Sequence, residues 1–313
     1  MDKEHTVKNI QLFLNYADPG NELLKTELFP GVDLYYLKFG KNPIHLRHET
    51  IDGIIQINYC RKGQLRWKMK SGSSIYLNHG DYSLHTMQAC CESLMTFPQG
   101  YYEGLTLCLD LDLLEKTPLT LFGSGYRPDF LYGKFCSGNR ITSVAADRKS
   151  ESIFPAFYSL PEKRALDCAR LKFWELLILL ENLDLTPGRM LKEYTPDNEA
   201  VVSSVHEYLL QNMDKHITIE ELARLHHINT TTLKAAFKSI YGMSIGAYAK
   251  EQRLRRAAKL LLETGMSVGE VAGASGYGSQ SKFAGAFRGL YGMLPNEYRK
   301  AGGSCKRNGD KGN

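Results

Sequence analysis

Two short runs of this sequence carry side chains of the kind that read nucleic-acid bases. Gln280, Ser281 and Lys282 begin one helix-patterned segment, and Thr230, Thr231 and Lys234 begin another fifty residues earlier. A Gln amide can make a bidentate contact to adenine, a Lys ammonium reaches guanine or phosphate, and the methyl of Thr231 suits a thymine methyl. Lys238 and Arg288 stand towards the far ends of the same segments, where a cation clamps phosphate rather than reading a base. The alternative for each of these residues is a solvated helix face, and it weighs most for Thr230 and Lys238.

What positions these residues is a duplication. The stretch Phe237 to Lys250, FKSIYGMSIGAYAK, returns as FRGLYGMLPNEYRK from Phe287 to Lys300, with six positions identical. Each copy follows a short helix, a tight turn and a second capped helix. Thr218-Ile-Glu-Glu221 and Ser267-Val-Gly-Glu270 read as capping boxes, in which the hydroxyl and the carboxylate satisfy orphan backbone N–H groups at a helix start. Asn229 and Ser279 cap the second helices, and Gly242 and Gly292 stop them. Such a pair is a helix-turn-helix, with a second helix sized for the DNA major groove. Ala223/Ala272, Leu233/Phe283 and Phe237/Phe287 take scaffold positions within it. The segment from Ile245 to Glu263 reads as a helix joining the two units. It would span about 28 Å at ~1.5 Å per residue, close to the roughly 34 Å of one DNA turn. One chain could therefore place two reading helices in successive grooves, on a bipartite and asymmetric site.

The N-terminal part reads differently. From Val32 to Asp110 short apolar runs alternate with Gly and Asp turns, and Gln64–Lys70 puts Leu65, Trp67 and Met69 on one face and Arg66, Lys68 and Lys70 on the other. Ile54 to Cys60 precedes it, with Arg61-Lys62-Gly63 read as a hairpin turn. Many short strands predict a small barrel or sandwich with an interior that can hold a ligand. From Ala156 to Leu185 the period becomes helical, predicting one long amphipathic helix that covers the barrel or seams two protomers. Thr186-Pro-Gly188 and Thr195-Pro-Asp197 mark a boundary. The expected division is an effector and dimerisation domain at 1–190, a linker at 191–197, an all-helical domain at 198–300 and a disordered tail at 301–313.

Charge divides the same way. From Asn198 onward, 16 Lys and Arg face 10 Asp and Glu, a net +6, while the rest, 23 against 24, stands at −1. A local basic excess is the electrostatic footprint of a nucleic-acid surface, and equally of a solvated helix face. No apolar run approaches the roughly 20 residues that span a bilayer, so a cytoplasmic protein without membrane contact is expected. The seven cysteines include no CxxC pair and read as reduced thiols, with neighbouring Cys90 and Cys91 the one redox candidate.

The motifs taken together resemble a known family. E-E-L-A from Glu220, L-K-x-x-F-K from Leu233, Y-G-x-S from Tyr241, Y-x-x-x-x-R-L-x-x-A from Tyr248, then V-x-E-V-A, G-Y-x-x-x-S-x-F-x-x-x-F-R and Y-G-x-x-P-x-x-Y-R ending at Arg299 are similar to the DNA-binding domain of AraC/XylS transcription regulators. The resemblance covers about a hundred residues. It implies an α+β chain, with an N-terminal cupin-like β-barrel and C-terminal helices, followed by two helix-turn-helix units on a linker helix. It also implies double-stranded DNA as partner, a small-molecule effector, RNA polymerase as a further partner with activation and repression both open, and no cofactor; the wide apolar face of the 162–185 helix allows a homodimer. Ala235 and Gly285 depart from the family, whose members often carry a base-reading Arg there. The competing reading is a cupin-type metalloenzyme fused to a DNA-binding module, with His45, His48, His79 and His85 as ligands. The spacing His45-x-x-His48-Glu49 departs from the His-x-His that such a site wants.

Overall fold

The computed structural model describes residues 21–302 except 41–43, 47–50, 92, 99, 122–123 and 216. The chain divides into two compact units between Pro196 and Asp197. The first contains strands β1 (Asn21–Phe29), β2 (Val32–Phe39), β3 (Ile44–Leu46), β4 (Ile54–Gly63), β5 (Leu65–Lys68), β6 (Ser74–Leu77), β7 (Tyr82–Thr86), β8 (Ser93–Thr96), β9 (Tyr102–Asp110), β10 (Leu119–Leu121), β11 (Ser124–Tyr126) and β12 (Thr142–Val144). All pairings are antiparallel. A six-stranded sheet runs in the order β1-β2-β9-β4-β7-β12, a four-stranded sheet in the order β3-β8-β5-β6, and β10 pairs with β11.

Among the described residues the strands do not close into a barrel; besides the β10–β11 pair they make two open sheets. Alternation explains the arrangement. On β2, Val32 and Leu34 enter one core while Tyr35, Leu37 and Phe39 enter another, and on β9 Leu105, Leu107 and Leu109 oppose Tyr102 and Cys108 in the same way. The six-stranded sheet is therefore buried on both faces. Its second face packs against Leu65, Trp67, Met69, Ile75, Leu77 and Met95 of the four-stranded sheet region. Its first face is covered by helix α1 (Ala165–Glu181), through Ala169, Phe173, Leu176, Leu177 and Leu180. Each such Leu or Phe side chain contributes about 1.5–3 kcal/mol by burial.

Two sequence expectations need correction here. Ile54–Cys60 and the strand after it are not a hairpin: β4 continues to Gly63 and pairs with β7 and β9, whereas β5 pairs with β6 and β8. A bulge at Cys60/Lys62 and a left-handed Gly63 at φ +78° carry the chain from one sheet into the other. An added Cβ at Gly63 would lie 2.2 Å from the Tyr101 carbonyl oxygen, so the crossing requires glycine. Likewise, the helix expected from Ala156 begins only at Ala165. A 3₁₀ turn occupies Phe154–Tyr158, Pro161 removes a backbone donor, and Arg164 sits at φ 62° before the helix starts.

The second unit is helical: α2 (Pro196–Gln211), α3 (Ile219–Leu225), α4 (Thr230–Tyr241), α5 (Ile245–Glu263), α6 (Val268–Ala274), α7 (Gln280–Tyr291) and α8 (Pro295–Lys300). The caps form as their chemistry dictates. Thr218 N–H donates to Glu221 Oε2 at 2.8 Å while Glu221 N–H donates to Thr218 Oγ1 at 3.2 Å. The Ser267/Glu270 pair repeats this at 2.7 and 3.3 Å. Asn229 Oδ1 accepts from Thr232 N–H at 2.7 Å, and Gly242 and Gly292 end their helices at φ 75°. Each side-chain cap is worth about 0.5–2 kcal/mol. No helix among the described residues is long and apolar enough to cross a membrane.

Candidate nucleic-acid interface

Helices α3 and α4 form one helix-turn-helix and α6 and α7 the other, each closed by the same backbone bond. Ile228 N–H donates to Ala223 O at 3.0 Å in the first, and Tyr277 N–H to Ala272 O at 2.9 Å in the second. Ala223 and Ala272 are buried, as are Leu233, Phe283, Phe237 and Phe287. The duplicated aromatics assemble into matching triads. Phe237, Tyr241 and Tyr248 have ring centroids 4.5, 5.5 and 5.4 Å apart, and Phe287, Tyr291 and Tyr298 repeat this at 4.6, 5.3 and 5.0 Å. Their burial fixes which face of α4 and α7 turns inward, and hence which turns out.

On the outward face of α4 stand Thr231, Lys234 and Lys238, exposed, with Thr230 half-buried at the first turn. On α7 the outward residues are Gln280, Ser281, Lys282 and Arg288. Among the described residues Lys234, Lys238, Lys282 and Arg288 enter no ion pair within 4 Å, so their charge is free to meet phosphate. The Gln280 amide leans back over α6: a Cβ built on Gly269 would lie 3.6 Å from its Oε1. Gly285 and Gly289 leave the middle of the α7 outer face open, with nothing within 4 Å of an added Cβ.

Two arginines had a place in the motif but no role assigned from sequence. Arg253 on α5 donates through Nε to Met213 O at 2.8 Å and also to Lys215 O, closing the segment that follows α2. Arg299 on α8 donates through Nε to Leu261 O at 3.0 Å and also to Met266 O, closing the end of α5. A cation on carbonyls at a helix end satisfies orphan acceptors and opposes the negative end of the dipole. The sequence signal was there: each Arg follows a Tyr of its triad.

Histidines separate the two units. His206 on α2 stacks on Tyr241 at 4.6 Å and bonds Tyr248 Oη at 2.7 Å through Nε2, and burial pushes its pKa down. His226 is likewise pushed down by burial, with the neighbouring His227 charge adding to the effect. In the N-terminal unit, His79 bonds the Arg61 carbonyl and is exposed, while buried His85 has Nε2 2.9 Å from Asn58 Nδ2 and Nδ1 3.0 Å from Thr86 O. The side chain of His45, and His48 altogether, lie outside the described residues. Among the described residues no three His, Cys, Asp or Glu side chains group to hold a metal ion. Cys90 is a buried thiol outside any disulfide that donates to Met87 O at 3.3 Å; burial raises its pKa, the reverse of the shift that makes a thiol reactive.

A helix-turn-helix domain model matches residues 222–301. The probable transcriptional regulator LumQ of Photobacterium leiognathi is 35% identical over 95 residues, covering 30% of this chain and 38% of that protein. The HTH-type transcriptional regulator ExsA of Pseudomonas aeruginosa is 34% identical over 98 residues, 30% of this chain and 35% of its own length. The match thus spans little more than a third of the length of these two relatives. A solved structure of a probable AraC family transcriptional regulator from Rhodopseudomonas palustris is 32% identical, with 33% of this chain and 97% of that chain covered and a TM-score of 0.31.

Proposed function

The chain belongs to the AraC/XylS family of transcription regulators, and on that premise we propose that it reads a bipartite, asymmetric DNA site through α4 and α7 under the control of a small-molecule effector held by its N-terminal unit. The observation that carries this reading is the repeated aromatic triad, because it turns two differently equipped helices outward from one scaffold. Thr231 and Lys234 would read one half-site, and Gln280, Ser281 and Lys282 the other. Thr230, Lys238 and Arg288 would hold the flanking phosphates. The facing sheets of the N-terminal unit serve as an open, cupin-like enclosure for the effector. Occupancy there would shift the population of DNA-binding conformations. RNA polymerase is the further partner of an activator, and a second copy of the chain would meet exposed Leu171 and Ile178 on α1.

Gln280→Ala tests the reading. It should weaken binding to the selected operator by about 1–3 kcal/mol and leave random-sequence DNA nearly untouched. An equal loss on both kinds of DNA would remove Gln280 from the base-reading set.

A further inference from the structure

The helical unit contains a cleft away from the outward faces of α4 and α7. The end of α2, the start of α3 and the first turns of α5 enclose about 160 Å³, and none of the residues assigned to DNA contact lines it. Its walls are apolar: Leu209 and Met213 come from α2 and the segment after it, Ile219 from α3, and Ile245, Tyr248 and Ala249 from α5. An apolar cavity of ~150 Å³ holds one benzene-sized molecule. The space therefore matches a single ring or a chain of similar bulk.

The polar part of the lining carries charge of one sign. Lys215 and Arg253 line the cleft, and no Asp or Glu among the described residues does. Lys215 Nζ donates to Asn212 Oδ1, a neutral acceptor, at 2.8 Å. Arg253 donates to two backbone carbonyls, Met213 O and Lys215 O, and the rest of its guanidinium fork has no protein acceptor among the described residues. Neither cation pairs there with a carboxylate, whereas Arg255 and Lys259, further along α5, pair with Glu251 and Glu263. Apolar walls beside two uncompensated cations define an acid: its body displaces water from the walls, and its carboxylate meets Arg253 and Lys215.

The cleft also lies at the joint of the two helix-turn-helix units. Tyr248 supplies a ring to the first aromatic triad. A Cβ built on Gly276, in the second turn, would lie 2.7 Å from Met213 O and 3.3 Å from Arg253 Nε. A guest on Arg253 thus meets elements that fix both halves.

We propose that this cleft binds a small monocarboxylic acid whose apolar body is the size of one ring, held by Arg253 and Lys215, and that the bound acid stiffens the joint between the two units. The site is separate from the effector enclosure of the N-terminal unit, and binding of the acid does not rest on that reading.

Full-length protein would be titrated calorimetrically with benzoate, cyclohexanecarboxylate and hexanoate. Benzamide and benzylamine serve as neutral and cationic counterparts, and acetate as the same charge without the body. At least one of the three acids should bind about tenfold or more tightly than benzamide, benzylamine and acetate. The same acid should raise the melting temperature and slow amide exchange both in α3 and in the turn at 275–277. Lys215→Ala removes one cation from an exposed position and should weaken the acid by about fivefold or more while leaving benzamide unchanged. Gly246 lines the cleft, and an added Cβ there meets nothing within 4 Å, so Gly246→Leu puts a side chain into the space. It should melt no lower than its parent, because glycine weakens a helix, and should lose the acid. No response to any of the three acids, equal response to benzamide or acetate, unchanged affinity in Gly246→Leu, or protection confined to one helix-turn-helix unit overturns the proposal. Should Gly246→Leu melt low, Lys215→Ala decides in the same titration. Operator binding is measured separately: sequence-specific DNA binding without any acid response sinks this inference alone, whereas acid binding without sequence discrimination sinks the regulator reading alone.

Discussion

The two helix-turn-helix units share a scaffold and differ in how each turn is closed. In the first, the left-handed position is His227 at φ 52°; in the second it is Gly276 at φ 74°. The first leans on half-buried histidines, with His206 against its triad. The second rests on the aliphatic stripe Leu254, Ala257, Ala258 and Leu261 of α5 and carries glycines on its outer helix. Duplication has therefore kept what faces inward and released what sets local strain, protonation and the outer surface.

Four experiments break or sharpen this comparison. The largest effect tests the sameness: Phe237→Ala and Phe287→Ala should each destabilise their own half by about 3–5 kcal/mol, read by hydrogen exchange of α4 and α7 amides. A loss confined to one substitution would mean the triads are not equivalent. Next comes the turn. Gly276→Ala forces a side chain into the left-handed region with its Cβ 2.7 Å from Met213 O and should cost about 1–3 kcal/mol. His227→Gly relieves strain and should gain up to about 1 kcal/mol, so urea midpoints must move in opposite directions. Smaller still, Gly285→Ala should stabilise α7 by about 0.5–1 kcal/mol, since nothing opposes the added methyl. If operator affinity falls while stability rises, the bare face is there for close approach.

The smallest effect is gated by pH. His206 and His226 have pKa values pushed down by burial, so the folded first unit disfavours the proton more than the unfolded chain does. The stability at stake is present above the unfolded histidine pKa of about 6.5 and declines as pH falls through it. Between pH 7.5 and 5 the first unit should loosen before the second, and His206→Phe should reduce the difference. Equal exchange rates in α4 and α7 at both pH values would show that these histidines do not separate the units.

Which features were legible in the sequence follows the range of the interactions involved. The capping boxes at Thr218/Glu221 and Ser267/Glu270 and the stops at Gly242 and Gly292 rest on atoms three or four residues apart, so a short word of sequence contains the whole cause. The amphipathic face of Leu65 and Trp67 was visible for the same reason. The separation of β4 from β5 was not, because it depends on β9, some forty residues away in sequence and filling both faces of the six-stranded sheet. The late start of α1 was written in Pro161 but outvoted by helical periodicity on either side of it. At the candidate interface, the side chains singled out from the sequence stand on the outward faces of α4 and α7. The place of Arg253 and Arg299 after a Tyr of each triad was visible, but what they brace was not, because carbonyl acceptors leave no mark in a sequence. The buried polar row Thr106, Asn58, Ser83 and Ser143 appears only once β9, β4, β7 and β12 are in register.

Helix α5 has a consequence for how target sites can vary. Its first turns supply Tyr248 to one triad and its later turns supply Leu254, Ala257, Ala258 and Leu261 to the other core, so it belongs to both halves at once. Inserting one residue would advance one half by about 1.5 Å and swing it by roughly 100° about the helix axis. Base pairs in DNA advance in steps of a different size and angle, so no insertion in the target could follow that move. On the proposed reading, the helix acts as a vernier locked at one setting: point changes along α4 and α7 would retune the letters read, but the distance between the two words would be inherited unchanged.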